Sequence, residues 1–308
     1  MKIVMLEPLA VNNESIEELS KGLRDKGHEF IRYDTATSDV NELVNRIDDA
    51  DAIIIANNPL PGEVIKAAPN LKFISVAFTG VDHIDLEACR EKNIKVSNAA
   101  GYSTQAVAEL VIGMIICKLR NIVECNAAVR EGKTKDGLVG SELSGKTVGI
   151  VGTGAIGLKT AQLLKAFGCN LLGYSKTEKE EAKKLGIKYV SLDELLRSSD
   201  IITLHTPLNK ETRFLINSNN IGLMKPNAIL INSAVAQALN EGRIAGAAID
   251  VFEIEPPLPH DHVLISASNA LLTPHVAFAT QESMIRRAKI TFDNIYAWLD
   301  GEQINKII

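Results

Sequence analysis

Residues 146–157 constrain the fold more than any other stretch, because they combine a short apolar strand, a glycine turn and the start of a helix. Gly152 lets the chain leave the strand sharply, Gly154 lets a pyrophosphate approach the backbone, and Gly157 lets the helix lie close to the sheet. The amino end of such a helix offers free N–H groups and a partial positive charge to an anion. The turn therefore predicts a dinucleotide site formed by Gly152, Gly154, Ala155, Ile156 and Gly157.

Composition limits the partners that we expect. The chain has 308 residues, of which 46% are hydrophobic and 23% charged, and this is typical of a globular protein of about two domains. The net charge is −5, and acidic and basic residues are interspersed along the chain without a basic stripe. We therefore expect no nucleic-acid partner. The longest apolar run, residues 110–117, is too short to span a bilayer, so we expect no membrane partner.

The cysteines and the first residues predict a cytoplasmic protein. The four cysteines contain no C-x-x-C pair, which is typical of reduced thiols in a cytosolic chain. Residues 2–6 already have the pattern of a strand, which leaves no room for a signal peptide.

Strand and helix patterns alternate over residues 1–98 and again from residue 146. This alternation predicts an α/β protein with two doubly wound parallel sheets. We expect residues 101–280 to form a dinucleotide-binding Rossmann domain. We expect this domain to be inserted into a smaller flavodoxin-like substrate domain made of residues 1–100 and 281–308.

One long helical segment is predicted over residues 103–131, with apolar positions on several of its faces. A helix that is apolar on several sides must be buried on several sides. We interpret the segment as the connector between the domains and as part of a subunit contact, which predicts a homodimer. An ordinary core helix is the alternative for most of its positions.

Six stretches follow one another along the chain as motifs: residues 76–85, 98–109, 152–157, 204–207, 246–256 and 272–277. Together, and in this order, they resemble the motifs of the D-isomer-specific 2-hydroxyacid dehydrogenases. The resemblance extends over nearly the whole chain and implies a reversible hydride transfer between NAD(P)H and a 2-oxo acid, with the D-2-hydroxy acid as product.

By resemblance, His275 is the predicted acid/base, and a capping or core histidine is the alternative. His275 follows the last predicted strand, and imidazole titrates near neutrality, so it can give a proton to a ketone oxygen and take it back. By resemblance, Glu255 lies beside it and favours the protonated ring, although a solvated loop carboxylate is the alternative. By resemblance, Asp250 contacts the nicotinamide carboxamide, with a helix-capping carboxylate as the alternative.

The loop of Phe78, Thr79 and Gly80 resembles the one whose backbone N–H groups hold the substrate carboxylate, and a plain turn is the alternative. His260 and His262 have a His-x-His spacing that could suggest a metal site, but no third ligand lies nearby in the sequence. We therefore expect no metal. By resemblance, the positions that line the cofactor are also matched by Thr104, His205, Thr206, Pro207, Ser233, Ala234, Asp250 and His275.

The ribose end of the cofactor site departs from the NAD pattern. NAD enzymes usually carry an acidic residue about twenty positions after the glycines, where it holds the 2′-hydroxyl. Here the corresponding strand ends in Ser175 and Lys176. Serine carries no charge to repel a 2′-phosphate and lysine can pair with one, so we expect NADP to be accepted and favoured over NAD.

A second departure concerns a catalytic arginine. The family carries it just after the strand that ends near Asn232, where it grips the substrate carboxylate bidentately. Here residues 233–242 read Ser-Ala-Val-Ala-Gln-Ala-Leu-Asn-Glu-Gly, and about nine residues after Ala234 are missing by motif spacing. Either the chain lacks the arginine or the printed sequence omits a loop, and we favour the omission because the motifs on both sides are intact.

The predicted substrate is a small unphosphorylated 2-oxo acid such as glyoxylate, hydroxypyruvate or pyruvate. Phosphoglycerate dehydrogenases carry an arginine for the substrate phosphate in the loop that here is residues 57–61, which contains none. The missing arginine argues against a phosphoglycerate dehydrogenase, which we keep as an alternative. Another is a dinucleotide-sensing, corepressor-like interaction protein, which becomes credible if the arginine is truly absent. A formate-type dehydrogenase is a weaker third possibility.

Overall fold

Both runs of alternating strands and helices fold into parallel sheets, as the sequence predicts. The structure is a computed structural model, and it describes residues 1–207, 209, 211–231, 244–252, 257–267 and 269–308. The chain divides into two units, one formed by Met1–Ser103 with Ala279–Ile308 and the other by Thr104–Phe278. Because every pairing within the two sheets is parallel, the α/β class with two doubly wound sheets is confirmed.

The first unit has a five-stranded sheet in the order β2-β1-β3-β4-β5, which is the flavodoxin-like order. Every residue of β3 and β4 is buried, as expected for strands of a parallel sheet that is covered on both faces. The strands are β1 (Lys2–Met5), β2 (Glu29–Arg32), β3 (Ala52–Ile55), β4 (Phe73–Val76) and β5 (Lys95–Asn98), and the helices between them are α1 (Asn13–Asp25), α2 (Val40–Ile47), α3 (Gly62–Ala67) and α4 (Leu86–Glu91).

The second unit has a seven-stranded sheet in the order β12-β11-β10-β9-β6-β7-β8, and the order reverses between β6 and β9. This is the Rossmann order with one added strand. The strands are β6 (Thr147–Val151), β7 (Asn170–Tyr174), β8 (Lys188–Tyr189), β9 (Ile201–Leu204), β10 (Ile229–Ile231), β11 (Gly246–Ile249) and β12 (Ala270–Leu272), and the described helices are α5 (Thr104–Leu119), α6 (Ile122–Arg130), α7 (Ala155–Ala166), α8 (Glu180–Lys184) and α9 (Leu192–Ser198).

The single helix predicted over residues 103–131 is wrong, because the structure has two helices there. The chain breaks between α5 and α6 at Asn121, whose φ of 50° lies in the left-handed region. At the break the Leu119 carbonyl accepts a hydrogen bond from the Ser141 N–H at 2.8 Å instead of continuing the helical ladder. The two parts differ in burial: α5 packs on α7, β10 and β11, whereas α6 has no buried residue.

The last helix, α10 (Gln281–Leu299), completes the first unit. It begins at a capping box of Thr280 and Ser283 and packs against α1, β4 and β5. Its buried Asn294 donates to the Asn98 carbonyl at 2.9 Å and so ties the helix to the end of β5. No helix in the described ranges is both long and apolar enough to cross a membrane.

Candidate active site

The glycine turn lies between β6 and α7, and each of its glycines meets different surroundings. Gly152 has a φ of +94°, which side chains rarely adopt. A Cβ on Gly157 would lie 2.0 Å from the Gly152 carbonyl oxygen, so only glycine lets α7 begin this close to the strand. A Cβ on Gly154 would meet no atom within 4 Å. Open space in front of Gly154 is what a pyrophosphate site at this turn requires.

The amino end of α7 is open to an anion. Gly154 is its N-cap and provides no side-chain acceptor, and the first turn carries no acidic residue. The first N–H groups of an α-helix have no acceptor within the helix. With neither a cap nor an acid beside them, the N–H groups of Ala155 and Ile156 and the positive end of the helix dipole suit a phosphate.

The segment after β9 lies directly beside this turn. The His205 N–H donates to the Val151 carbonyl at 2.7 Å, and a Cβ on Gly152 would lie 2.7 Å from the His205 carbonyl oxygen. The imidazole Nε2 of His205 is 3.0 Å from the hydroxyl of Thr203. Although the residue keeps some exposed surface, burial of its ring lowers the pKa to about 4, so His205 is neutral above that pH. The structure therefore brings His205 and Thr206 to the reversal point of the sheet, with exposed Pro207 next.

At the end of β7, Ser175 is half-buried and Lys176 is exposed. The Nζ atom of Lys176 lies 3.0 and 3.2 Å from the two carboxylate oxygens of Glu211, in the segment that follows β9. The side chains are 82% and 69% exposed, so their ion pair is weak. Lys176 is thus shared with a carboxylate in this structure, a feature that the strand pattern did not predict.

His275 and Asp250 come together at the carboxyl edge of the same sheet. Asp250 follows β11, is only 4% exposed, and accepts hydrogen bonds from the Thr273 hydroxyl and from the N–H groups of Val276 and Ala277. His275 follows β12 with a φ of 51° and stacks edge-on against Phe278, with ring centroids 5.5 Å apart. The buried carboxylate therefore binds the backbone of the segment that carries the predicted acid/base.

The predicted substrate loop follows β4 in the first unit. The Asn98 side chain donates to the Thr79 carbonyl at 2.7 Å, and the Ala99 N–H donates to the Phe78 carbonyl at 2.9 Å. Within the described ranges, no group accepts a hydrogen bond from the N–H of Thr79 or Gly80. The loop is anchored through its carbonyls while two N–H groups stay available to an anion.

The remaining predicted site residues give little structural evidence for or against their roles. Thr104 is the first residue of α5 and is half-buried. Glu255, Ser233, Ala234 and the place of the family arginine lie outside the described residues. Among the described residues, no group of three or more His, Cys, Asp or Glu side chains could hold a metal ion. His262 instead accepts a hydrogen bond from the Leu264 N–H at 3.3 Å.

Two residues that the sequence reasoning missed join the site in the structure. Thr273 was missed although it directly follows β12, whose neighbour β11 ends just before Asp250. Glu211 lies 35 residues from Lys176, and nothing in the sequence pairs them. The pairing of β11 with β12 could have indicated Thr273. The contact of Glu211 with Lys176 depends on tertiary structure alone.

Residues 112–277 match the family described as D-isomer specific 2-hydroxyacid dehydrogenase, NAD binding domain. The chain is 34% identical to a hydroxypyruvate reductase of Blautia hydrogenotrophica, over 100% of this chain and 99% of that protein. It is 41% identical to a glyoxylate reductase of Thermofilum pendens, over 85% of this chain and 82% of that protein.

The chain belongs to the D-isomer-specific 2-hydroxyacid dehydrogenases. Members of this family are NAD(P)-dependent, and this dehydrogenase transfers a hydride between NAD(P)H and a 2-oxo acid. A solved structure with a TM-score of 0.87 and 28% identity, covering 100% of both chains, is an acyclic imino acid reductase in complex with NADPH and D-Arg. The dinucleotide that the glycine turn predicts is therefore confirmed as NAD or NADP.

We predict that two glycine substitutions in this dehydrogenase have different effects. Gly157→Ala forces a Cβ against the Gly152 carbonyl, so it should lower the free energy of unfolding by about 1–3 kcal/mol. Gly154→Ala meets only open space, so it should change that free energy by less than about 0.5 kcal/mol but weaken NAD(P)H binding at least about tenfold. Denaturant unfolding and fluorescence titration measure the two quantities. Unchanged binding in Gly154→Ala would contradict the pyrophosphate site.

Proposed function

We propose that the chain reduces a small unphosphorylated 2-oxo acid, of the glyoxylate, hydroxypyruvate or pyruvate type, to the D-2-hydroxy acid. The observation that carries this proposal is that the open amino end of α7 and His275 lie at the carboxyl edge of one parallel sheet. Glyoxylate and hydroxypyruvate are named as substrates of the similar reductases. The absence of arginine from residues 57–61 supports an unphosphorylated acid.

His275 is the proposed acid/base. When bound, NAD(P)H supplies the hydride, and the imidazolium of His275 gives its proton to the carbonyl oxygen. Glu255 is the proposed partner that favours the protonated ring, and Asp250 the proposed contact of the nicotinamide carboxamide. Thr104, His205, Thr206, Pro207, Ser233 and Ala234 are the further proposed cofactor contacts.

The proposed site for the substrate carboxylate is the loop of Phe78, Thr79 and Gly80, and the available N–H groups of Thr79 and Gly80 support it. This assigns residues 1–100 and 281–308 to the substrate domain and residues 101–280 to the dinucleotide domain. We retain the proposal that a loop with the family arginine is omitted after Ala234. The alignment with the Blautia reductase runs over 326 positions although this chain has 308 residues, so it contains gaps in this chain. The mass of the intact protein tests this point.

The proposed assembly is a homodimer, through α6 and the residues around it. Helix α6 buries none of its own residues, yet Ile122, Val123 and Val129 are 48%, 52% and 74% exposed. An apolar helix face without a covering element is typical of a subunit contact. We also propose a cytoplasmic location, which the four free cysteines support.

The proposed cofactor preference is for NADP. Ser175 and Lys176 at the end of β7 support it, because neither repels a 2′-phosphate. Glu211 acts against it, since its carboxylate occupies Lys176. An exposed pair of this kind contributes about 0–1 kcal/mol, so a phosphate with two negative charges displaces Glu211.

We predict that His275→Ala lowers kcat about 100- to 10,000-fold while the Kd for NAD(P)H changes less than about twofold, because the change removes proton transfer and leaves the phosphate contacts in place. His260→Ala, at an exposed position, is the matched control. Steady-state reduction of glyoxylate, hydroxypyruvate and pyruvate measures kcat. Retained turnover in His275→Ala would exclude it as the acid.

We predict opposite effects of two changes on cofactor choice. Lys176→Ala should lower kcat/KM for NADPH about 5- to 20-fold and leave that for NADH within about twofold, because only NADPH carries the 2′-phosphate. Glu211→Gln should raise kcat/KM for NADPH about two- to fivefold, because it frees Lys176. Lys184→Ala, at an exposed lysine of α8, controls for a general loss of charge. A wild-type enzyme that strongly prefers NADH would contradict this assignment.

We predict that Val129→Asp converts the homodimer to a monomer, because it places a charge in the exposed apolar face of α6. Ile285→Asp, at an apolar residue of α10 that is 55% exposed, should leave the dimer intact. Sedimentation velocity measures both. A wild-type monomer would refute the dimer.

The screen of 2-oxo acids also tests the alternative of a dinucleotide-sensing protein. Turnover with any of the three acids supports the reductase. Tight NAD(P)H binding without turnover of any of them, in a protein whose mass confirms that no loop is missing, would favour the sensor.

A further inference from the structure

The segment that carries His275 is bound to one buried carboxylate. Asp250 Oδ1 accepts from the Thr273 hydroxyl at 2.5 Å and from the Val276 N–H at 2.9 Å, and Oδ2 accepts from the Ala277 N–H at 2.9 Å. One donor precedes His275 in the chain and two follow it. The carboxylate therefore holds the backbone on both sides of the acid/base.

The backbone of His275 needs such support. Its φ of 51° lies in the left-handed region, which costs free energy for any residue with a Cβ, and its N–H donates to the Thr273 carbonyl at 3.0 Å in a tight turn. Strained conformations persist only where their surroundings over-determine them. Because the backbone dihedral angles direct the Cα–Cβ bond, they also direct the imidazole.

A carboxylate suits this position better than an amide. The three described groups that hydrogen-bond to Asp250 are donors, and hydrogen bonds to an ionised acceptor are stronger than those between neutral groups. An asparagine would turn an NH₂ group toward one of the two backbone N–H groups. A carboxylate has about four acceptor positions, of which three are occupied here, so one is left for a cofactor amide.

We propose that Asp250 and Thr273 are positioning residues for proton transfer, which hold His275 in its left-handed conformation and so aim its ring at the reacting carbonyl. This role rests on the proposed function of His275 as acid/base. It is distinct from contact with the nicotinamide, because the hydrogen bonds already exist within the protein chain. Thr273 touches the carboxylate through its hydroxyl alone, which makes it the sharper position to test.

The test uses the full-length enzyme with bound NAD(P)H and the variants Thr273→Val and Thr273→Ser. Valine keeps the shape but lacks the donor, so we expect kcat to fall about three- to tenfold with the Kd for NAD(P)H within about twofold. We expect the primary isotope effect with cofactor deuterated at the transferred position to rise, because chemistry then limits turnover. Serine restores the hydroxyl and should restore kcat to within about twofold of wild type. Asp250→Asn should lower kcat more than Thr273→Val does.

The outcomes separate this role from its alternatives. A kcat for Thr273→Val within about twofold of wild type overturns the proposal, and so does a loss that appears only in the Kd for NAD(P)H. The imidazole cross-peak of His275 in a ¹³C–¹H spectrum, identified with His275→Ala, gives a readout that does not need turnover. We expect it to shift or split in Thr273→Val and to stay in place in Thr273→Ser. If the wild type has no turnover, the proposed function fails, and an unchanged cross-peak in Thr273→Val then overturns the positioning role as well.

Discussion

The backbone N–H groups at the start of α7 have no acceptor within the helix, and no side chain in the described part of the chain caps them. The order of the strands reverses beside this point, between β6 and β9, so the connections leave on opposite faces and open a crevice at the carboxyl edge. The free donors, the positive end of the helix and the space in front of Gly154 coincide there. This is the site at which we propose that a phosphate of the dinucleotide accepts hydrogen bonds from the helix.

At the same edge of the sheet, hydrogen bonds stabilise the buried carboxylate of Asp250. A buried carboxylate is costly unless hydrogen bonds replace its water, and the three donors of the following segment do so. Those donors belong to the segment that carries His275, so the hydrogen bonds that stabilise the carboxylate also hold the conformation of the proposed acid/base. Parallel pairing of β11 with β12 brings the two positions together, since both segments leave the sheet at the same end.

The charge of Lys176, at the proposed ribose end of the site, is held less firmly than that of Asp250. Lys176 and Glu211 are both largely exposed, and an exposed ion pair contributes little to stability. The proposed preference for NADP therefore depends on a small difference in free energy between the ion pair and a contact of Lys176 with a 2′-phosphate. His205, in contrast, carries no charge near neutral pH, because burial of its ring lowers the pKa to about 4.

The sequence predicted the features that are local in the chain. Strand–helix alternation indicated two parallel sheets, and glycine spacing indicated the dinucleotide turn. It failed where local signals were weak or conflicting. The edge strand β2 has a charged residue at each end and no fully buried position, and neither it nor α2 was predicted. The break at Asn121 was missed because apolar residues continue across it.

By itself, then, the sequence determined the fold class, the dinucleotide turn and the family to which the chain belongs, because each of these depends on residue types at fixed spacing. Only the tertiary structure decided which groups meet across the second sheet. The bonds from Asp250 to the His275 segment span 23 to 27 residues, and the pair of Lys176 with Glu211 spans 35. Such contacts depend on strand order and register, which bring the ends of separate strands to one edge.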